Sequence, residues 1–270
     1  GVQTCALPIC GSPILRGFEA NKVLICVDGI RMNNAIYRSG HLQNVITLNN
    51  ESMEKVELLF GPSSAMYGSD ALGGVMSFYT RNPEISKRKT IKAGVTLRYT
   101  SACEGIHVHT DMSASFPKWG SFTSLSFSQF GDLRQGKIRY SAFPGWGYDS
   151  VNTETSNGID TLTQNANPFI QSPAAYSQYD AIQKFLFYTG KMKNTINLQF
   201  STSTDVPRYD RLTEMSNGLP KSSAWYYGPQ FRVLTAWQME IEKTRWFDKA
   251  RISPAFQRIL ESRHNRNFGS

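Results

Sequence analysis

His107 and His109 are the only two histidines that share a neighbourhood in this chain. On an extended strand, residues two apart point to one side, where two imidazoles can hold heme iron or a metal ion. A polar strand face carries histidines without any ligand too, so both readings stay open. His41 and His264 stand alone and read as surface groups. Cys5, Cys10, Cys26 and Cys103 contain no Cys-x-x-Cys pair and, with the scattered histidines, make no zinc constellation. Cys26 lies in an apolar run and reads as a buried free thiol. The chain has no Gly-x-Ser-x-Gly elbow, no phosphate-cradling glycine loop, no His-Glu-x-x-His and no isolated carboxylate pair. No enzyme is therefore expected, and no catalytic residue, resident metal or cofactor.

The elements that carry the histidines alternate with period two. Ile91, Ala93, Val95, Leu97 and Tyr99 share one face, against Lys92, Thr96 and Arg98. Ile106, Val108, Met112, Ala114 and Phe116 oppose His107, His109, Asp111, Ser113 and Ser115. Further strands are predicted over 122–130, 182–189, 195–204, 230–242 and 250–260, about seven in all. A soluble sandwich alternates as well. The connections discriminate better: residues 117–120, 191–194 and 244–249 are short, whereas 131–181 and 205–229 are long and polar. Short turns on one side and long loops on the other are the habit of an outer-membrane barrel. Phe116, Trp119, Trp246 and Phe247 flank the short turns, where an aromatic girdle would lie.

Composition is compatible with this. Of 270 residues 40% are hydrophobic and 19% charged, with mean hydropathy -0.37. No apolar run approaches the length of a transmembrane helix, which leaves membrane strands open because half their residues avoid lipid. The formal charge of +8 is scattered apart from Lys87-Arg88-Lys89, which argues against a nucleic-acid partner.

The N-terminal third has a different grammar. Val56, Leu58 and Phe60 end a strand at Gly61-Pro62. Ser63 and Ser64 offer caps for a short helical turn through Ala65, Met66 and Tyr67, closed by Gly68. Gly73-Gly74 then introduces a second strand, 75–80. Upstream, Pro13-Ile14-Leu15-Arg16-Gly17-Phe18 and Val23-Leu24-Ile25-Cys26-Val27-Asp28-Gly29-Ile30-Arg31 form two more blocks.

In order and spacing these blocks resemble the plug domain of TonB-dependent outer-membrane receptors. The resemblance implies an α+β plug followed by antiparallel transmembrane β-barrel strands, a part of the family's roughly 22-stranded barrel. The plug motif falls on Gly61, Pro62, Tyr67, Gly68, Gly73 and Gly74. Phe60 stands where the family usually carries Arg, so this turn brings no cation of that kind to the wall. Arg16 is expected to anchor the plug by pairing with inner-wall carboxylates, for which Glu240 and Glu242 are the candidates. Asn33, Tyr37, Arg38 and His41 lie where plug loops of the family can face ligand; a solvated connection is the other reading of that segment.

The expected domains are a non-native leader at 1–11, which resembles translated adaptor sequence, a plug over 12–85 and barrel strands over 90–270, with both ends inside a longer protein. The implied function is import of a scarce nutrient, a ferric siderophore, heme or cobalamin, across the outer membrane of a Gram-negative bacterium. The implied partners are outer-membrane lipid and a TonB-type energy-transducing protein, whose contact box is not in this chain. A non-transporting outer-membrane binding or adhesion protein, and a soluble secreted β-sandwich that binds glycans, are the alternatives.

Overall fold

A computed structural model of the chain describes residues 14–18, 22–32, 45–61, 67–68, 71–138, 141–144, 147–148, 150–242 and 245–270. Its N-terminal unit is built on one mixed sheet of order β2-β1-β4-β3. β1 (Val23–Val27) turns back antiparallel into β2 (Ile30–Arg31) and runs parallel to β4 (Gly74–Thr80), which pairs antiparallel with β3 (Met53–Phe60). The tight turn between β1 and β2 is Asp28-Gly29, both at positive φ (51° and 79°), the backbone that an Asp-Gly hairpin favours. Every residue of β1 is buried. Leu15, Val23, Ile25, Val27, Met76 and Phe78 pack on one face of the sheet, and Leu24, Cys26, Ala71 and Val75 on the other.

Both glycines of the Gly73-Gly74 pair are demanded by space. A Cβ on Gly73 would lie 2.3 Å from Phe18 Cβ, and one on Gly74 would lie 2.4 Å from the Leu59 carbonyl oxygen. Helix contributes less than an α+β unit implies. Among the described residues of this unit it amounts to the 3₁₀ turn Asn50–Ser52 and single helical positions at Lys22, Tyr67 and Ala71. The rest of the expected helical turn, 63–66, lies outside them, as does the leader.

The remainder is dominated by long strands. β5 (Thr90–Thr100), β6 (Gly105–Ser115) and β7 (Trp119–Phe130) follow one another through short turns. A long connection then carries β8 (Leu133–Arg134), the hairpin of β9 (Val151–Ser156) and β10 (Ile159–Gln164), and β11 (Ile170–Gln171). β12 (Tyr176–Thr189) and β13 (Met192–Ser203) form the next hairpin. A second long connection holds β14 (Val206–Pro207), α1 (Tyr209–Leu212), β15 (Met215–Ser216), β16 (Leu219–Pro220) and β17 (Ser222–Tyr227). β18 (Phe231–Glu242), β19 (Lys249–Ile252), β20 (Ala255–Leu260) and β21 (Arg263–Asn267) complete the chain.

The long strands form an open antiparallel sheet of order β19-β18-β13-β12-β7-β6-β5, with β20 also on β18; the described residues close no barrel. The segment 250–260, expected as one strand, is two. Ser253-Pro254 separates them, because proline has no amide to donate to the ladder. β12 begins at Tyr176, six residues before its expected start, where polar Gln178 and Asp180 mask the apolar alternation.

The sheet's burial is inverted relative to a soluble protein. Val95 (70% exposed) and Leu97 (74%) face out, with Ile106, Leu125, Phe185 and Trp237 also exposed. Lys184 and Asn197 (1% each), His109, Asp180, Gln199 and Arg232 are buried on the other face.

Candidate functional site between the N-terminal sheet and the long-strand wall

The buried polar face is where the N-terminal unit touches the wall, and the contact centres on Asp28. The Asp28-Gly29 turn pushes this carboxylate beyond the end of β1. Its Oδ1 accepts the Thr80 amide (2.8 Å), and its Oδ2 accepts the Thr80 hydroxyl (2.7 Å), Asn197 Nδ2 (2.8 Å) and Gln199 Nε2 (2.8 Å). Lys184 Nζ stands 3.3 Å from Oδ2 and donates to Thr80 O (3.1 Å) and Asn82 Oδ1 (2.9 Å). Gln238 Nε2 donates to the Asp28 carbonyl at 2.7 Å. β12, β13 and β18 thus converge on one turn. A charge taken out of water is tolerated only when paired and hydrogen-bonded, and here both members of the ion pair are.

Two further clusters extend the contact. Asp180 accepts from Ser201 Oγ (2.6 Å), Gln178 Nε2 (3.0 Å) and Asn49 Nδ2 (3.4 Å), while Gln178 also reaches the Ile46 carbonyl (2.7 Å). Arg232 Nη1 donates to Gln199 Oε1 (3.1 Å), linking this cluster to the first. On the opposite side, Arg81 pairs with Asp111 (3.2 Å), donates to the Glu51 carbonyl and lies over the ring of buried Phe122 (5.5 Å). Arg98 engages the Glu51 carboxylate, and Ser52 bonds Ser124 at 2.7 Å.

His107 and His109 do face this interior. Each Nδ1 is bonded to a β7 serine, Ser128 and Ser126 respectively, at 2.7 Å. The rings are near parallel with centroids 6.5 Å apart, and His109 Nε2 lies 3.4 Å from Asp111 Oδ2. No group of three or more metal-ligating side chains occurs among the described residues. The histidines therefore stand as wall groups tied to serines, with the Asp111 carboxylate beside His109.

At the long-loop end the connections enclose a cleft of about 620 Å³, lined by Tyr148, Asn152, Glu154, Gln171, Tyr209 and Met215 among others. Aromatic rings beside amide and carboxylate groups make it a surface that can hold a small polar molecule.

The family model described as TonB-dependent Receptor Plug Domain matches residues 10–75. The chain carries a TonB-dependent receptor plug domain followed by a barrel-like β region. The vitamin B12 transporter BtuB of Vibrio vulnificus (strain CMCP6) is 30% identical over 207 residues, 77% of this chain and 27% of that protein. A hemin receptor of Yersinia pestis is 28% identical over 146 residues, 54% of this chain and 20% of the relative. In fold, the chain is similar to the ferric enterobactin receptor of Pseudomonas aeruginosa, with TM-score 0.60 at 13% identity over 97% of this chain and 36% of the other. It spans about a quarter of the length of the curated relatives it matches.

Within the plug, Gly61 (φ 90°) ends β3, Gly68 (φ 93°) follows Tyr67, and Tyr67 packs against the Leu24–Val75 face of the core. Pro62 lies outside the described residues, as do the ligand-facing candidates Asn33, Tyr37, Arg38 and His41. Arg16, Glu240 and Glu242 are not brought together. The Arg16 guanidinium lies over the Phe60 ring at 4.7 Å. Glu240 is engaged by Arg251 and by Lys249 (3.7 Å), and among the described residues no ion pair joins Arg16 to either glutamate. With an aromatic ring at position 60, the stem and planar head of Arg16 have a partner inside the plug, while cations of β19 neutralise Glu240 on the wall itself.

The buried ion pair between the N-terminal sheet and the wall is that of Asp28 and Lys184. The signal in the sequence was slight: a lone lysine between Ile182 and Leu186 on one strand parity, and an aspartate that turn chemistry alone accounts for.

Proposed function

We propose that this chain is the plug and the first wall strands of an outer-membrane receptor in a Gram-negative bacterium. The receptor binds a scarce nutrient outside and releases it inward when a TonB-type energy-transducing protein pulls on the plug. The observation that carries the reading is the inverted wall: Val95, Leu97, Leu125 and Trp237 point away from the plug, while Asp180, Lys184, Asn197, Gln199 and Arg232 are buried against it beside a few apolar side chains such as Phe122 and Ile182. Lipid on one side and a polar plug on the other satisfy both faces, as water could not. The long-strand sheet is then a segment of a transmembrane barrel that further strands close, with the turns after β6, β12 and β18 in the periplasm and the long loops, together with the short β5–β6 turn, outside.

The polar plug contact suits gated release. Hydrogen bonds and ion pairs can re-form with water when the plug shifts, whereas a packed apolar interface would have to be torn open. Nothing in the process makes or breaks a covalent bond, and the protein's work is selective binding and a change of state. Cobalamin, heme and ferric siderophores are the nutrient classes favoured, in line with relatives named for vitamin B12 and hemin. Uptake assays in a receptor-deleted strain complemented with the full-length gene test this, using cobalamin, hemin and ferric catecholate in turn. Energy-dependent accumulation of one of them is expected. Binding without accumulation would favour a non-transporting surface receptor.

A further inference from the structure

The chain's one run of three basic residues lies at the short-turn end of the wall. Lys87, Arg88 and Lys89 are exposed immediately before β5. Thr90 pairs with Ser115 at the end of β6, and the Ser86 amide donates to Phe116 O at 3.3 Å, so the run lies beside the turn 116–118. Lys118, in that turn, is exposed as well. Among the described residues none of these four cations makes an ion pair. Glu84, the nearest carboxylate in sequence, lines with Glu54, Arg81 and Lys92 a cleft that Ser86 and Thr90, on either side of the run, also border, and it pairs with none of the four.

Next to this charge, Phe116 and Trp119 stack with ring centroids 4.3 Å apart. Trp119 is 43% exposed and shares its outward parity with Leu125 and Phe127, so the ring pair sits at the edge of the apolar face.

We propose that this corner docks the headgroup of an anionic phospholipid from the periplasmic leaflet. The aromatic pair would sit at the level of the glycerol backbone and the four cations would close on the phosphate. The inference rests on the barrel reading above, which sets the strand ends at a membrane border. An acidic protein partner would answer the charge alone and leave the ring pair in water. Phospholipid answers both.

The test uses the full-length receptor in phosphatidylcholine nanodiscs doped with phosphatidylglycerol, with retained lipid counted by native mass spectrometry. Heat-modifiable electrophoretic mobility, recorded on the same samples, reports separately whether a closed barrel has formed. The wild type should retain phosphatidylglycerol in preference to phosphatidylcholine. The K87Q/R88Q/K89Q variant should lose that preference by about tenfold or more, K118Q by a smaller factor, and K137Q, in the first long loop, not at all. A heat-modifiable receptor without lipid preference, or a triple variant that retains phosphatidylglycerol like the wild type, would overturn the proposal while leaving the barrel intact. A wild type with no heat-modifiable form would instead remove the reading on which it rests.

Discussion

The plug sheet and the wall sheet bury opposite chemistries. β1 of the plug is hidden on both faces by aliphatic side chains, as in any soluble core. β12 of the wall hides Gln178, Asp180 and Lys184 and exposes Tyr179 and Phe185. Both obey the same rule, that apolar surface leaves water, but in the function proposed above the wall's apolar surface leaves it for lipid. What the plug spends in dispersion contacts, the wall spends in satisfied polar groups, and Asp28 is where the two meet. Burial taken alone would misread the wall as a failed core.

The largest expected break in this comparison is at the buried pair. In the full-length receptor, Lys184→Met leaves the Asp28 carboxylate without its cation and should cost about 3 to 5 kcal/mol, read as a lower urea midpoint in vesicles. Asp28→Asn combined with Lys184→Met should cost less than the sum of the two, because neither charge is then stranded. Additive losses would remove Asp28 and Lys184 as a coupled pair.

Next in size, Val95→Arg on the outer face should cost about 2 to 4 kcal/mol of barrel stability, while Thr96→Arg on the inner face should cost far less. Equal folding yields from the two would count against a lipid-facing surface.

Inside the plug, Gly74→Ala meets the Leu59 carbonyl at a φ of 139° and should destabilise by about 1 to 3 kcal/mol. Gly61→Ala has open space around its Cβ and meets only its φ of 90°, so it should be milder. Thermal unfolding of the two variants orders them, and the reverse order would contradict the close approach of β3 and β4.

The smallest effect lies in the loops. Thr155, with the Gly269 amide and Arg266, holds the Asp160 carboxyl down from its ordinary 3.8 to about 2. A depressed carboxylate contributes stability that is fully present above about pH 4 and lost as pH falls through about 2. Amide exchange of the β9–β10 hairpin should accelerate over that window in the wild type, and show no such dependence in Asp160→Asn.

How much of this the sequence carried depends on whether local pattern or distant contact decides. β1 was legible residue for residue, since five apolar residues and an Asp-Gly turn define it locally. β5 and β6 were legible because their faces alternate cleanly. β7 was less so, because Phe122 points inward to meet Arg81, a residue just after β4 that the strand's own pattern cannot reveal. The break at Pro254 is readable from the proline itself, although apolar alternation runs on either side of it. The anchoring pair was not readable in the same way. Asp28 and Lys184 lie far apart in the chain, and only the folded wall places Asn197, Gln199 and Lys184 around one turn.

The central claim is that one face of the wall meets lipid and the other meets the plug. Nitroxide labels placed singly at 95, 96 and 97 in the full-length receptor, with Cys26 and Cys103 replaced, test it most directly through their accessibility to oxygen and to a water-soluble nickel chelate. The account predicts that labels at 95 and 97 favour oxygen and the label at 96 does not, a period of two along β5. Access of the nickel chelate to 95 and 97 equal to that of an exposed loop label would place that face in water and contradict it.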